Sequence, residues 1–174
     1  MNNPSISPAT EGDVVTLNQL VNSAYRGDSS RRGWTTEADL LGGIRTDEES
    51  LKAMLRNPLA TILTYRMADQ LLGCVYLEKK GDSLYLGMLT VSPDAQAGGI
   101  GKQLMAAAEE VARDWYCTTI TMTVIPQRTE LVAWYERRGY SATGETKPFP
   151  MDDPRFGMPK VPLSFIVLEK PVLS

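Results

Sequence analysis

The chain has 174 residues, a formal net charge of −3 and no histidine. At this length one domain buries a substantial core, and we expect residues 1–174 to form a single domain. The acidic balance argues against broad binding to nucleic acid or anionic membranes, and the lack of histidine excludes every triad and zinc site that needs one. No apolar run approaches the roughly 20 residues that span a bilayer. The start of the chain is polar and unlike a signal peptide, so we expect a cytoplasmic protein.

The first third of the chain predicts one strand and two helices. Residues 6–9 are typical of a short strand, and Thr10-x-x-Asp13 is typical of a helix start ahead of apolar residues at helical spacing. A second capping box, Thr46-x-x-Glu49, predicts a helix that stops at Asn57-Pro58. Residues 26–45 between the helices are polar, contain glycine and are too irregular for a regular element. Long loops in compact domains are more often functional than idle.

Strand patterns dominate the middle of the chain. Residues 59–66 and 71–79 are strand-like runs with a short polar break, which predicts an antiparallel hairpin. Residues 83–91 form the next predicted strand, and residues 118–125 alternate threonine with apolar residues at a period of two. The two cysteines, one in a predicted strand and one beside a strand, match no metal or disulfide framework. We expect them to be reduced core residues.

The last third predicts a short helix and two strands. Residues 130–138 have helical periodicity, with Thr129 as the predicted cap and a following glycine to end the helix. Strands are predicted near residues 140–147 and 163–169, and the last strand either completes the sheet or pairs across a dimer. Five prolines in residues 148–162 argue against regular pairing there.

A glycine-rich turn joins the strand at residues 83–91 to a predicted helix over residues 100–116. Its three glycines, at positions 98, 99 and 101, permit unusual backbone angles and close approach by a ligand. Amides freed at such a turn and at the start of a helix predict an anion site, with phosphate as the usual occupant. The dinucleotide fingerprint fails because Leu104 replaces a glycine, and the nucleoside-triphosphate loop fails because Gln103 replaces Ser or Thr. A turn without a ligand is the alternative.

Two separated motifs carry a family resemblance. The sequence Gln96-x-x-Gly99-x-Gly101, after Val91-x-Pro93, resembles the pyrophosphate loop of the GNAT superfamily of acyl-CoA-dependent N-acyltransferases. The later segment Leu-Val-Ala-Trp-Tyr-Glu-Arg-Arg-Gly-Tyr, residues 131–140, is similar to the family's Leu-Tyr-Glu-x-x-Gly-Phe. The resemblance implies an α/β (α+β) GNAT fold, with a central mixed, mostly antiparallel sheet of about seven strands flanked by about four helices.

The resemblance also implies a direct transfer. A neutral amine attacks the thioester carbonyl of acetyl-CoA, a tetrahedral oxyanion forms and CoA thiolate leaves. The strand end would bond the pantetheine arm, an amide near Leu89 would donate to the oxyanion, and the loop amides braced by Gln96 would hold the pyrophosphate. Arg128 lies where many members have an Asn that contacts the CoA arm, although a solvated surface arginine is the alternative. The implied cofactor-binding residues are Leu89, Thr90, Val91, Gln96, Ala97, Gly98, Gly99, Ile100, Gly101, Lys102 and Arg128.

Tyr135 matches the position of the family's general acid. A phenol has a pKa of about 10 and a free thiol a pKa of about 8.5, so the phenol is protonated at neutral pH and can donate to the leaving thiolate. The alternative role for a tyrosine on the inner face of a short helix is core packing.

The sequence leaves the base open. An alkylamine has a pKa of about 10.4 and must lose a proton before it attacks. Positions that match the family's bases are Tyr85 or Gly87, and Thr123, and none of them is a strong base. A water chain lined by Tyr85, a weakly basic substrate amine, or a loop carboxylate such as Glu37 or Asp39 would each meet the need.

The predicted acceptor site is built by the two long loops, residues 26–45 and 148–162. Trp34 and Tyr85 are the candidate substrate contacts, and Arg31 or Arg32 is a candidate for binding a substrate carboxylate, with surface solvation as the alternative. The resulting hypothesis is an N-acetyltransferase that acts on a primary amine of a small molecule in a ternary complex. The alternatives are a protein or peptide N-acetyltransferase and an acyl-CoA-binding regulatory module without turnover. We expect no metal, no nucleic acid and no membrane partner, and either a monomer or a homodimer.

Overall fold

The computed structural model describes residues 4–25, 41–42, 47–92, 95, 99–126, 128–148, 158–159 and 164–172. The helices in this part of the chain are α1 (Val14–Tyr25), α2 (Glu48–Arg56), α3 (Ile100–Asp114) and α4 (Thr129–Arg137), with a 3-10 turn at Glu11–Asp13 before α1. The strands are β1 (Ser5–Pro8), β2 (Leu41–Gly42), β3 (Ala60–Met67), β4 (Gln70–Lys80), β5 (Ser83–Val91), β6 (Thr119–Val124), β7 (Ser141–Pro148), β8 (Met158–Pro159) and β9 (Ser164–Pro171).

Seven strands form one mixed sheet in the order β1-β3-β4-β5-β6-β9-β7. Five of the six neighbouring pairs are antiparallel, and only β5 and β6 are parallel. This confirms the predicted fold class, a mostly antiparallel sheet with four flanking helices. The last long strand, β9, lies between β6 and β7. It therefore completes the sheet, which was one of the two alternatives that the sequence left open for this strand.

Each face of the sheet buries its own apolar cluster. On one face, α3 contributes Leu104, Ala108 and Ala112, which recur every four residues on one side of the helix. On the other face, α1 contributes Leu17 and Val21 at the same spacing. The sheet is therefore a middle layer between α1 and α2 on one face and α3 and α4 on the other.

The predicted β3–β4 hairpin is confirmed, and a tight turn joins its two strands. Ala68 and Asp69 both have positive φ, 54° and 64°. Two consecutive residues in the left-handed region are typical of the two-residue turns that match strand twist. The hairpin fixes the register of β4, which pairs with β5 on its other edge.

Two helix caps differ from the predicted ones by one residue. The side chain of Asp47 accepts from the Ser50 amide at 2.7 Å and caps α2, whereas the predicted cap, Thr46, lies outside the described residues. A carboxylate accepts more strongly than a hydroxyl, which favours the later start. In α4 the cap is Arg128, and Thr129 is the first helical residue.

The expectation of no regular pairing within residues 148–162 is wrong at one place. Strand β8 pairs antiparallel with β2, and this two-residue ladder joins Leu41 to Pro159 and Gly42 to Met158. Proline is tolerated because each strand of a two-stranded ladder is an edge strand. The pairing connects the two loops that were predicted to build the acceptor site.

The capping box at the start of α1 is confirmed, and it is tied to the sheet. The Thr10 amide donates to Asp13 Oδ2 at 2.9 Å, and the Arg66 guanidinium donates to Oδ1 of the same carboxylate. Partial burial acts to raise the pKa of Asp13, but the Thr10 amide and the Arg66 charge together hold it below its ordinary value of 3.8.

We therefore expect Asp13→Asn to lower the free energy of unfolding by about 1–2 kcal/mol at pH 7. Because the folded-state pKa is depressed, this stabilisation is present above the unfolded-state pKa and is lost as the pH falls through the lower folded-state value. Urea unfolding at pH 7 and at several pH values below 3.8 measures the difference, with Asp69→Asn in the exposed turn as the control. A difference in unfolding free energy between the variant and the wild-type protein that stays constant in acid would contradict this link to the Asp13 pKa.

Candidate active site

The site begins where the two parallel strands separate. The β5–β6 ladder has three pairs, Ser83 with Thr119, Leu84 with Ile120 and Tyr85 with Thr121. Strand β5 continues to Val91, while β6 continues to Val124 and stays paired with β9 throughout. A gap therefore opens through the middle of the sheet between residues 86–91 of β5 and residues 122–124 of β6, and we call it the wedge.

A bulge interrupts β5 beside the wedge. Met88 has φ 54°, and the register between β4 and β5 shifts beside it. The Thr90 hydroxyl donates to the Met88 carbonyl at 2.9 Å, and Cys74 Sγ on β4 approaches the same oxygen at 3.9 Å. In a trans peptide the carbonyl and the next N–H point to opposite sides. The Leu89 N–H therefore points away from the Met88 carbonyl and its two partners.

Helix α3 begins beside the open end of the wedge. Its N-cap, Gly99, has φ 72°, which a glycine adopts without strain, and there is no acidic residue in the first turn. A Cβ built at Gly101 would lie 3.4 Å from the Trp134 ring and 3.8 Å from Val91 Cγ2. The structure thus brings together the predicted strand-end residues and the predicted helix-start residues. The amides of Ile100 and of the two residues after it are the ones that lack a partner within a helix.

The structure describes only part of the predicted anion loop. Gln96, Ala97 and Gly98 lie outside the described residues. On the near side of that segment the Ser92 amide donates to the Leu72 carbonyl at 2.8 Å, and the Ala95 amide donates to the Ser92 carbonyl at 2.9 Å. Lys102, in the first turn of α3, is exposed. The described flanks thus hold a helix N-terminus with a nearby cation and no acid in its first turn.

Helix α4 carries Tyr135 on the α3 face of the sheet. Tyr135 is 5% exposed, and its ring makes edge contacts with Trp134 and Tyr140 at centroid distances of 5.2 and 6.1 Å. Trp134 in turn packs on Gly101, so α4 is docked on the first turn of α3. The predicted general acid is therefore on the same face as the helix N-terminus.

Arg128 is buried rather than solvated. It is 8% exposed, its amide donates to the Ile125 carbonyl at 3.0 Å, and its carbonyl accepts from the Val132 amide at 3.0 Å. The sequence-based alternative of a surface arginine is wrong, because the chain turns directly from β6 into α4 at this residue. The turn places a buried cation close to the β6 edge of the wedge.

The opposite face of the sheet carries a polar group around Tyr85. This residue faces Glu78 across the β4–β5 ladder, and its ring makes an edge contact with Tyr76 at 6.4 Å between centroids. The Tyr76 hydroxyl donates to Glu78 Oε1 at 2.6 Å. Burial, with Glu78 beside the phenol, raises the pKa of Tyr76 above its ordinary value. The Nζ of Lys80 lies 4.9 Å from the Tyr85 ring centroid.

Sequence reasoning singled out Tyr85 and missed its partners. Tyr76, Glu78 and Lys80 follow the period of two that puts alternate residues on one face of a strand, and that signal would have grouped them. The other predicted acceptor residues, Trp34 with Arg31, Arg32, Glu37 and Asp39, all lie outside the described residues.

The described residues hold no group of three or more histidine, cysteine, aspartate or glutamate side chains that could bind a metal ion. No helix among them is long and apolar enough to cross a membrane. Both cysteines, Cys74 and Cys117, are buried and free, as predicted.

A mixed sheet that opens between two parallel strands, with a helix N-terminus beside the opening, defines an α/β protein with a site suited to an anion such as phosphate. The chain belongs to the GNAT acetyltransferase family, since residues 41–149 match the family described as "Acetyltransferase (GNAT) domain". Members of this family use acetyl-CoA, and the protein is an acyltransferase.

Solved structures support the fold. The ribosomal-protein-S18-alanine N-acetyltransferase from Escherichia coli aligns with a TM-score of 0.72 and 13% identity, over 99% of this chain and 96% of that one. The ribosomal-protein-alanine N-acetyltransferase from Brucella melitensis aligns with a TM-score of 0.71 and 21% identity, over 96% and 99%. The protein yncA from Salmonella typhimurium, solved with acetyl-CoA, aligns with a TM-score of 0.71 and 15% identity. The alignment covers 99% of this chain and 95% of that one. No curated protein matches the sequence significantly.

Proposed function

We propose that the protein transfers the acetyl group of acetyl-CoA to a primary amine of a small molecule by direct attack in a ternary complex. The observation that carries the proposal is the wedge, because it connects the two faces of the sheet. The α3 N-terminus and Tyr135 lie on one face, and Tyr85 lies on the other. The thioester would enter from the first face and the amine from the second.

The bulged end of β5 suits the acyl end of acetyl-CoA. Main-chain groups of Leu89 and Val91 would bond the pantetheine arm, and the Leu89 amide would donate to the oxyanion of the tetrahedral intermediate. Thr90 would act through its backbone, since its side chain is buried and bonded to the Met88 carbonyl. Such a preorganised donor is typically worth about 100-fold or more in rate.

The start of α3 suits the pyrophosphate. Amides of Gly99, Ile100, Gly101 and Lys102 would hold it, supported by the positive end of the helix dipole and by the lack of an acidic residue in the first turn. A Cβ built at Gly99 would meet none of the described residues within 4 Å, which is compatible with a ligand at the cap. Gln96, Ala97 and Gly98 would complete the loop, and Arg128 would contact the CoA arm.

Tyr135 would serve as the general acid. Its phenol would give a proton to the CoA sulfur as the carbon–sulfur bond breaks, because a phenol is protonated at neutral pH and a thiolate is a ready acceptor. Trp34 and Tyr85 would contact the acceptor amine.

The choice of a small acceptor is supported by the β2–β8 pairing. This pairing ties residues 41–42 to residues 158–159 and so connects the two segments that are predicted to build the acceptor site. Joined loops favour a bounded pocket over the open groove that a peptide needs. A peptide N-terminus is the second candidate, favoured by the fold similarity to two ribosomal-protein-alanine N-acetyltransferases over nearly their whole length.

The test has two stages. Isothermal titration with acetyl-CoA and with CoA measures cofactor binding, and thiol release then compares amino acids and small polyamines with a peptide that begins with alanine, each product being identified by its mass. Micromolar binding and turnover of a small amine would support the proposal, and turnover of the peptide alone would support the second candidate. No binding of acetyl-CoA at millimolar concentration would overturn both.

A further inference from the structure

The acceptor amine needs a proton acceptor that the wedge itself does not supply. An alkylamine with a pKa of about 10.4 is almost entirely an ammonium ion at neutral pH and cannot attack a carbonyl until it loses a proton. Where β5 and β6 separate, the strands carry Tyr85, Gly87 and Thr123. None of these side chains is a base at neutral pH.

Glu78 is the only carboxylate in β4 or β5. It lies directly across the antiparallel ladder from Tyr85, and Cβ atoms of such pairs are about 4.5–5.5 Å apart. It shares a face with Tyr76, which is 8% exposed and donates to Glu78 Oε1 at 2.6 Å. Glu78 itself is only partly buried. The carboxylate is thus held in place by one buried phenol and remains open to water.

Tyr85 extends from Glu78 toward the wedge. A Cβ built at Gly87 would lie 2.8 Å from Tyr85 Cε2 and 3.0 Å from Tyr85 Oη. The ring therefore lies over the backbone of Gly87, which is two residues beyond the last β5–β6 pair. Leu89, the proposed oxyanion donor, follows two residues later, about 7 Å along a strand. A path for a proton from this point to the carboxylate would run through water beside the Tyr85 hydroxyl.

We infer that Glu78 is the proton acceptor for the substrate amine, an inference that rests on the proposed acetyl transfer. The ammonium proton passes through the water beside Tyr85 to the Glu78 carboxylate. The nitrogen lone pair then forms the C–N bond, and the C–S bond breaks with its electron pair on sulfur. Sulfur takes a proton from Tyr135, which regains one from the amide nitrogen through water. The net products are the N-acetyl amine, CoA thiol and one proton released from Glu78 to solvent.

Two nucleophiles separate this role from a structural one. Ethylamine needs a base because it is protonated at pH 7, whereas hydroxylamine is largely neutral there and needs none. We expect Glu78→Gln, which keeps the shape and the acceptor for the Tyr76 hydroxyl, to lower kcat/KM for ethylamine at pH 7 by about 100-fold or more. The same variant changes kcat/KM for hydroxylamine by less than about threefold, and the Kd of acetyl-CoA by less than about twofold.

Controls and a second variant make the test decisive. Glu145→Gln, on exposed strand β7, should leave kcat/KM unchanged with both nucleophiles. Tyr85→Phe should lower kcat/KM selectively for ethylamine, by about 10-fold. This second variant keeps the inference testable if Glu78→Gln does not fold. Equal losses with both nucleophiles, or no loss with ethylamine, would overturn the role of Glu78 while wild-type turnover stands. No thiol release by the wild-type protein with any amine would overturn the proposed function and, with it, this inference.

Discussion

Replacing Tyr135 by phenylalanine is expected to lower kcat by about 100-fold or more while the Kd of acetyl-CoA stays within about twofold. The substitution removes one hydroxyl and keeps the ring that contacts Trp134 and Tyr140. If the hydroxyl protonates the leaving thiolate, its loss raises the barrier of the chemical step alone. Thiol release under saturating acetyl-CoA measures kcat, and isothermal titration measures Kd.

Tyr140→Phe is the matched control. Tyr140 is 3% exposed, and its hydroxyl has no hydrogen-bond partner among the residues that the structure describes. Burial, with Glu109 nearby, raises the pKa of Tyr140 above its ordinary value. Removing this hydroxyl should leave turnover unchanged and leave stability equal or higher by about 1 kcal/mol. Unaltered turnover in Tyr135→Phe, or equal losses in the two variants, would refute the general-acid role and favour a binding module or a purely structural tyrosine.

Gly73→Val should cost about 3 kcal/mol of folding free energy. A Cβ at Gly73 would lie 2.9 Å from Ile100 Cγ2, 3.0 Å from the Thr90 carbonyl oxygen and 3.1 Å from Leu104 Cδ1. The side-chain tips can rotate away, but the Thr90 oxygen belongs to the backbone of β5 and cannot. Either α3 moves off the sheet or the β4–β5 ladder is distorted.

Thermal unfolding measures this cost as a fall in Tm of about 6–12 °C, at about 2–4 °C per kcal/mol for a chain of this length. Gly12→Ala is the control, because a Cβ there would meet only Thr10 Oγ1 at an ordinary 3.6 Å. The control should stay within about 0.5 kcal/mol of the wild-type protein. An unchanged Tm in Gly73→Val would mean that α3 does not pack on β4 as closely as described. Because Ile100 is the first residue of α3, the variant should also weaken acetyl-CoA binding.

Local signals in the sequence predicted most of the fold. The switch from strand to helix at the glycine-rich turn, the period of two in β6 and the capping box at Thr10 and Asp13 each depend on residues a few positions apart. Features that depend on distant partners were missed. The β2–β8 pair joins segments more than 100 residues apart along the chain. The bulge at Met88 depends on the pairing with β4, although Gly87 beside it is a residue type that often marks a bulge.

The same difference between local signals and distant partners applies to the candidate active site. The sequence pointed to Tyr135 and to the ends of β5 and α3, because these residues lie within two contiguous motifs. It did not point to Glu78, which lies outside both motifs and on a different strand from Tyr85. The short turn at Gly81 and Asp82 sets the register that pairs the two residues, and the bulge shifts the pairing only farther along, between Cys74 and Tyr76. Buried Arg128 was taken for a possible surface residue for a similar reason, as its burial depends on how α4 docks.

The central claim is that acetyl-CoA lies in the wedge between β5 and β6. Hydrogen–deuterium exchange with and without saturating acetyl-CoA tests it most directly, since main-chain amides are the proposed contacts. We expect added protection in residues 86–91 and in the first turn of α3 at residues 99–103, with β1 and β3 unchanged. Unchanged exchange in both segments, or protection confined to another part of the chain, would contradict the account.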